Sequence, residues 1–306
     1  MNLTGLAKGL AVTVICIFIN HGAWAQQSAE ENLTPKDQEF IKITEAAGKV
    51  ATHGPADISL IDQAVLKIPE GYLFIPKKEA ADFMSFIGNK TSENFIGLIM
   101  SPNDDLRWFI DINYIKAGYV KDDDAKKINP DTILKDIKDS TEEANKERIA
   151  QGVSALDVVK WIEEPSYNPS THHLIWSILA KDRGASDVDG QVVNYDVGVF
   201  GREGFFKFVL ITPASHIEQD KLHILKLLEA LHYNNGKRYE DFTEATDKVA
   251  KYGLIGLITG IAAKKVGLLA LAGVFLAKIW KIIIIGCVVF LVKIKSFFKR
   301  EKKSKD

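Results

Sequence analysis

Three groups of side chains in this 306-residue chain have types and spacings that could do chemistry. Asp122-Asp123-Asp124 follows Gly118-Tyr119-Val120-Lys121 and is the densest run of carboxylates. Hard cations such as calcium need several oxygens at close range. The spacing matches no EF-hand loop, however, and Lys121, Lys126 and Lys127 surround the run. It therefore reads as a solvated loop, with Asp122, Asp123 and Asp124 as the residues to test for a metal. His172 and His173 stand at the start of a predicted strand. Alternation places His172 with Leu174, Trp176 and Ile178 on one face and His173 on the other. A metal or catalytic pair would need both on one side, and no His-x-x-x-His or Glu-x-x-His unit accompanies them. Structural histidines are expected. Trp161, Tyr167, Trp176 and Tyr195 lie on neighbouring predicted strands and, with His172, are the candidates for lining a ligand groove. Core packing also accounts for such aromatics and is the favoured reading.

No G-x-S-x-G elbow, Walker loop, dinucleotide fingerprint or zincin motif is present. Catalytic triads are defined by geometry, so missing motifs do not exclude an enzyme; no residue is assigned a catalytic role and no cofactor is expected. The two cysteines, Cys16 and Cys287, fall in the two apolar ends. The intervening domain thus has no disulfide framework, cysteine nucleophile or thiolate metal site.

The elements that must position these groups follow from periodicity and turn chemistry. Thr34-Pro35 predicts a helix start, with the helix running to about Val50 and broken at His53-Gly54-Pro55. Ile58, Leu60, Val65, Leu66 and Ile68 predict strands around a turn at 61–63, and Tyr72 to Ile75 predicts another. Lys77 to Gly88 reads as a helix. Phe95 to Ser101 and Leu106 to Tyr114 read as a hairpin. Asn129-Pro130-Asp131 is a strong helix start, with Ile133, Ile137, Thr141, Ala144 and Arg148 on one face and Gly152 at the end. Four strands follow, at 157–163, 172–181, 191–200 and 205–212, with Gly201-Arg202-Glu203-Gly204 as a tight connection. A helix over 215–231 and a short strand over 231–233 complete the domain. With no proline after Pro213, the chain from about Glu240 is expected to run as nearly continuous helix. The fold class is α+β, a mostly antiparallel sheet with flanking helices.

The ends carry topology. Lys8, the apolar run Leu10 to Ile19 and Ala23-Trp24-Ala25 form a signal-peptide pattern. Near the other end the cheapest membrane span is Val274 to Val292, about 28 Å as a helix. Lys278 and Lys281 would snorkel from its first turns and Trp280 would sit near the interface. Seven basic residues after Val292 (Lys293, Lys295, Lys299, Arg300, Lys302, Lys303 and Lys305) put the tail in the cytoplasm by the positive-inside rule. The expected organisation is a signal peptide over 1–25, a spacer and helix over 26–54, an extracytoplasmic domain over 55–240, a helix over 241–273 leading to the membrane surface, a transmembrane helix over 274–292 and a basic tail over 293–306. Whether 252–273 lies on, enters or crosses the membrane is left open by its composition.

The near-neutral total conceals a polar arrangement. Residues 26–251 hold 38 acidic and 27 basic side chains, a net of −11; residues 252–306 hold 11 basic and 2 acidic, a net of +9; Lys8 brings the sum to −1. An acidic domain argues against nucleic acid as its ligand.

Several stretches resemble an uncharacterised bacterial family of predicted membrane-anchored proteins, the domain of unknown function 2167. They are Leu66-Lys67-Ile68-Pro69-Glu70-Gly71-Tyr72, Gly118 to Asp124, Thr141 to Arg148, Thr171-His172 with Trp176, Val193-Asn194-Tyr195, Gly201-Arg202, Gly236-Lys237-Arg238-Tyr239 and Thr246 to Ala250. The resemblance runs from about His53 to the C-terminus. It implies bacterial origin and membrane topology, and transfers no catalytic residue. More loosely, the hairpin, helix and final short strand resemble the PsbP and Mog1 type of fold, an analogy that does not set function.

Three functions are consistent with these features. The leading one is a non-enzymatic module in the bacterial envelope that binds a protein partner or itself. The second is an envelope hydrolase using carboxylates or His172. The third is a protein that acts on the membrane, or forms oligomers, through small-residue packing of the 252–273 helix.

Overall fold

The computed structural model describes residues 34–87, 89–101, 107–150, 154–185 and 190–259. The signal-peptide pattern, residues 260–273, the candidate span with Lys278, Trp280 and Lys281, and the basic tail all lie outside them. Among the described residues no helix is long and apolar enough to cross a membrane.

Helix α1 (Pro35–Val50) begins as its sequence predicts. Thr34 accepts the Asp37 N–H, and Asp37 in turn accepts the Thr34 N–H at 2.9 Å. This reciprocal cap satisfies two donors that a helix start leaves open. After β1 (Thr52–His53) come β2 (Ala56–Leu60) and β3 (Ala64–Ile68), an antiparallel hairpin. β4 (Leu73–Pro76) leads directly into α2 (Lys77–Phe86), which buries Ala80, Phe83 and Met84. β5 (Phe95–Met100) and β6 (Phe109–Ile115) pair antiparallel. The long helix α3 (Pro130–Ala150) precedes β7 (Leu156–Asn168), β8 (His173–Asp182), β9 (Gln191–Phe200) and β10 (Phe205–Pro213). A single 3₁₀ turn, Ala214–His216, starts α4 (Ile217–Glu229), and β11 (Leu231–Tyr233) follows.

Eight strands form one antiparallel sheet in the order β1-β4-β5-β6-β10-β9-β8-β7, and β11-β3-β2 form a second, smaller one. The small sheet and α4 cover one face of the large sheet over a core that includes Leu66, Ile110, Val197, Phe206, Phe208 and Leu227. Burying each such side chain contributes about 1.5–3 kcal/mol. On the other face α1 and α2 cover the β4–β5 end, and α3 packs on β7. The fully buried Asp220 pins α4 to the large sheet. It takes a hydrogen bond from Thr212 Oγ1 and an ion pair from Arg107 at 3.1 Å.

Two expectations are corrected. β7 does not stop at 163 but runs on to Asn168, through three register shifts and across Pro165. An edge strand tolerates a missing N–H donor, and bulges absorb the mismatch. The nearly continuous helix expected from about Glu240 is not formed over its described part. A 3₁₀ turn at Tyr239–Asp241 is followed by irregular chain and then the short helix α5 (Leu254–Ile258). Helix propensity loses there to specific partners. Arg202 and the Thr243 N–H hold Asp247. Val249 forms a parallel bridge with Tyr119.

Candidate functional site

The end of the large sheet near His172 gathers the aromatic and acidic groups into one cluster. His172 precedes β8 in a left-handed conformation, φ 53°, a sparsely populated region for a non-glycine residue that is retained only where neighbours enforce it. Its ring stacks on Tyr239 at 4.0 Å, and its Nδ1 is 3.0 Å from the Tyr167 hydroxyl. Tyr239 in turn meets Tyr119 at 4.4 Å with the rings tilted by 31°, and Tyr119 stacks on Phe242 at 3.8 Å. The Tyr239 hydroxyl donates to the Val120 carbonyl at 2.8 Å.

Backbone pairing locks this column. The Tyr119 N–H donates to the Lys248 carbonyl at 2.7 Å and the Ala250 N–H returns to Tyr119 O at 2.8 Å. Gly118 makes the approach possible. Its φ is 92°, and a Cβ there would collide with the Lys248 carbonyl oxygen. Arg202 grips Asp247 with two nitrogens, at 2.7 and 2.8 Å, the fork geometry that suits a guanidinium and a carboxylate. That contact holds the Asp247 carboxyl well below its ordinary value.

Burial keeps the two imidazoles and the three phenols in their uncharged forms. Burial lowers the His172 pKa, against the pull of Asp122 and Glu240. Burial, and then the repulsion of His172, lower that of His173. Burial raises the hydroxyls of Tyr119, Tyr167 and Tyr239. At neutral pH the cluster presents phenolic hydroxyls and neutral imidazoles, which suits hydrogen bonding and stacking better than nucleophilic attack.

Two clefts flank the Tyr167–His172 contact. The larger, about 670 Å³ and open to solvent, is lined by Asp122, Asp123, Lys126, Pro130, Pro165 and Tyr167, among others. The smaller, about 240 Å³, takes His172, His173, His232, Arg238 and Tyr239 into its wall. Both histidines therefore line one cleft, against the alternation expected of a strand. The left-handed backbone at 172 takes that side chain out of the strand's two-sided register. Among the described residues no group of three or more His, Cys, Asp or Glu is placed to hold a metal.

The acidic run divides by role. Asp122 and Asp123 face the larger cleft. Asp124 caps α5, its two oxygens accepting the N–H groups of Leu254 and Ile255 at 3.0 and 3.1 Å. Gly253 leaves room for it; a Cβ there would lie 2.6 Å from Asp124 Oδ2. Trp161 donates its indole N–H to the Pro130 carbonyl at 3.2 Å and packs beside Tyr167 and Trp176 against one apolar cluster. Tyr195 is not part of this group. It pairs with Ser177, not Trp176, and lies on the opposite face, in the core beneath the small sheet. A period of two separates them, so the four aromatics do not line a single groove. Sequence reasoning missed Tyr119, Tyr239, Phe242 and the Arg202–Asp247 pair. All except Phe242 lie in stretches that carry the family likeness, which was the available signal.

The family model described as "Protein of unknown function (DUF2167)" matches residues 52–288. The chain belongs to this family. No curated protein matches it. Among solved structures, the solution structure of cyanobacterial PsbP (CyanoP) from Synechocystis sp. PCC 6803 is similar at 9% identity and a TM-score of 0.36. That match covers 60% of this chain and 91% of that one. The Ran-binding protein Mog1p of Saccharomyces cerevisiae is similar at 10% identity and a TM-score of 0.32, covering 61% and 98%. The mostly antiparallel sheet with flanking helices of this DUF2167 protein is read from its own strand pairing, and at these scores the two likenesses carry no further argument.

Proposed function

We propose that this chain is an exported protein, anchored by 274–292, whose extracytoplasmic domain binds a protein partner at the membrane surface through the cleft between 122–130 and 165–169. The observation that carries the reading is the make-up of that cleft. Asp122 and Asp123 outweigh Lys126 and leave the lining net negative, Tyr167 supplies an aromatic edge with a hydroxyl, and Pro130, Pro165 and Pro169 supply preformed apolar walls. Such a surface suits an extended, basic peptide segment: carboxylates meet Lys or Arg, and proline and tyrosine cover the stems of long side chains. Two further features support the reading. The signal-peptide pattern and the basic tail give one consistent topology. Asp124, in the cleft's own loop, caps the helix from which the chain continues into the C-terminal apolar stretch, so a tethered domain would hold this cleft close to the lipid.

A photo-crosslinking residue at Ser166 in the full-length protein, compared in cells with one at Leu222, tests this. Leu222 is 61% exposed and lies on α4, away from the cleft. The expected result is one reproducible membrane-protein adduct from position 166, absent from position 222 and lost on Asp122→Lys with Asp123→Lys. Equal labelling from both positions, or no adduct from 166, would reject the cleft as the binding surface.

A further inference from the structure

The cleft between 122–130 and 165–169 has a basic segment of its own chain within reach. Asp122 and Asp123 outnumber Lys126 in its lining, and Pro130 and Pro165 give it apolar walls. Asp124, the next residue of the same loop, accepts the N–H groups of Leu254 and Ile255 at 3.0 and 3.1 Å. The start of α5 is thereby fixed beside the cleft. The five residues of α5 rise only about 7.5 Å, and its C-cap, Thr259, is the last described residue of the chain. Thr259 is 3% exposed and its hydroxyl donates to the Ile255 carbonyl at 3.0 Å, so the point of departure is fixed as well. Gly260 follows the cap in sequence, at the position where glycine commonly ends a helix and redirects the chain.

The sequence that follows complements this lining. Residues 252–263 hold no charged side chain, and Lys264 and Lys265 are the first after Lys251. Ile261, Ala262, Ala263 and Val266 flank them. The five residues from Thr259 to Lys264 span up to about 17 Å, more than the rise of α5 away from Asp124. We propose that 261–266 docks in this cleft in cis, with Lys264 and Lys265 on Asp122 and Asp123 and the flanking aliphatic residues against Pro130 and Pro165. Opposite charges set the register of such a contact. A tether this short gives an effective concentration on the order of millimolar, which offsets the weakness of exposed ion pairs. The segment competes with the partner proposed above, so its release regulates access to the cleft. This inference rests on the reading of the cleft as a site for extended, basic chain.

Disulfide trapping in the full-length protein in membranes tests this, with Cys16→Ala and Cys287→Ser removing the native thiols. Ser166→Cys, in the cleft, is paired with Val266→Cys, and Leu222→Cys on α4 with Val266→Cys is the control. An intramolecular disulfide is expected, with at least fivefold more from 166–266 than from 222–266. Asp122→Lys with Asp123→Lys should abolish it, and adding Lys264→Glu with Lys265→Glu should restore it. Equal yields from the two pairs, a yield indifferent to both charge reversals, or disulfides formed only between two copies overturn docking in cis. Lys264→Gln with Lys265→Gln leaves the cleft lining intact. It should lower the disulfide at least fivefold and raise the partner's photo-adduct from position 166 at least threefold. That adduct separates this inference from the reading beneath it. An adduct that is present but unchanged in the double-glutamine variant overturns the inference and leaves the partner standing. An internal disulfide with no adduct in either protein upholds docking and rejects the partner.

Discussion

Asn145 sits within α3 with 2% of its surface exposed. Its Nδ2 donates to the Leu156 carbonyl and its Oδ1 accepts the Leu156 N–H, both at 2.8 Å. The amide thus replaces a strand neighbour at the first residue of β7 and ties the helix to the sheet edge. Asn145→Ala leaves both backbone groups without partners, and a buried unmet group costs about 1–3 kcal/mol. We expect a loss of about 2–4 kcal/mol in urea denaturation with an unchanged slope. Asn145 lies inside the Thr141–Arg148 stretch that carries the family likeness. The helical face read from periodicity held Ile133, Ile137, Thr141, Ala144 and Arg148 but not Asn145. Apolar periodicity does not register a polar residue that is buried because it bonds backbone. His172 shows the same limit. Its residue type was legible, but its left-handed turn and its stacking on Tyr239 are set by residues far along the chain.

At the level of elements, α5 is a five-residue helix that residues of its own sequence do not cap. Its N-terminal donors are taken by Asp124, some 130 positions earlier. Asp124→Ala removes an N-cap worth about 1 kcal/mol. The amides of Leu254 and Ile255 should then exchange several-fold faster, with the strands of the large sheet unaffected. No change at those two amides would mean that packing of Leu254 and Ile258 alone holds the helix. Element existence was readable where turn chemistry and period agreed. α1 starts at its Thr34-Pro35 signal, α3 at Asn129-Pro130, and β9 spans 191–200 as expected. Boundaries slipped where tertiary contacts decide them, as in the extension of β7 past Pro165 and the unwinding of 242–253.

Across the whole molecule, Asp111, which shares a sheet face with Lys207 and Asp196, should appear in the pH dependence of stability. Asp111 has a folded-state pKa of about 7, above the ordinary aspartate value near 3.8. Its protonated form is therefore favoured by folding. That contribution is complete below about pH 4 and is lost as pH rises towards and through 7. With Asp111 only partly buried and Lys207 nearby, the effect is on the order of 1–2 kcal/mol. Asp111→Asn should flatten the stability profile between pH 4.5 and 8, read by urea denaturation at each pH. The carboxyls of Asp62, Glu203, Asp241 and Asp247 are shifted the other way, each mainly by a side-chain hydrogen bond. Their contributions are present at neutral pH and lost in acid, so the acid limb should persist in the variant.

The α+β class, most of the strands, the main helix starts and the family were determined by sequence alone. These rest on local physics: the period of apolar residues, the capping chemistry of Thr34 and Asn129, and short runs of linked residue types. Only the tertiary structure decided which side chains meet. It set Tyr195 on the opposite face from Trp176, because a one-residue difference in register reverses a side chain's direction. It divided the acidic run into two cleft residues and one helix cap. It placed Asp111, Asp196 and Lys207 from three strands on one face of the large sheet, with Lys207 paired to Asp196. Each of these depends on sheet order and pairing between residues tens of positions apart, which no local spacing records.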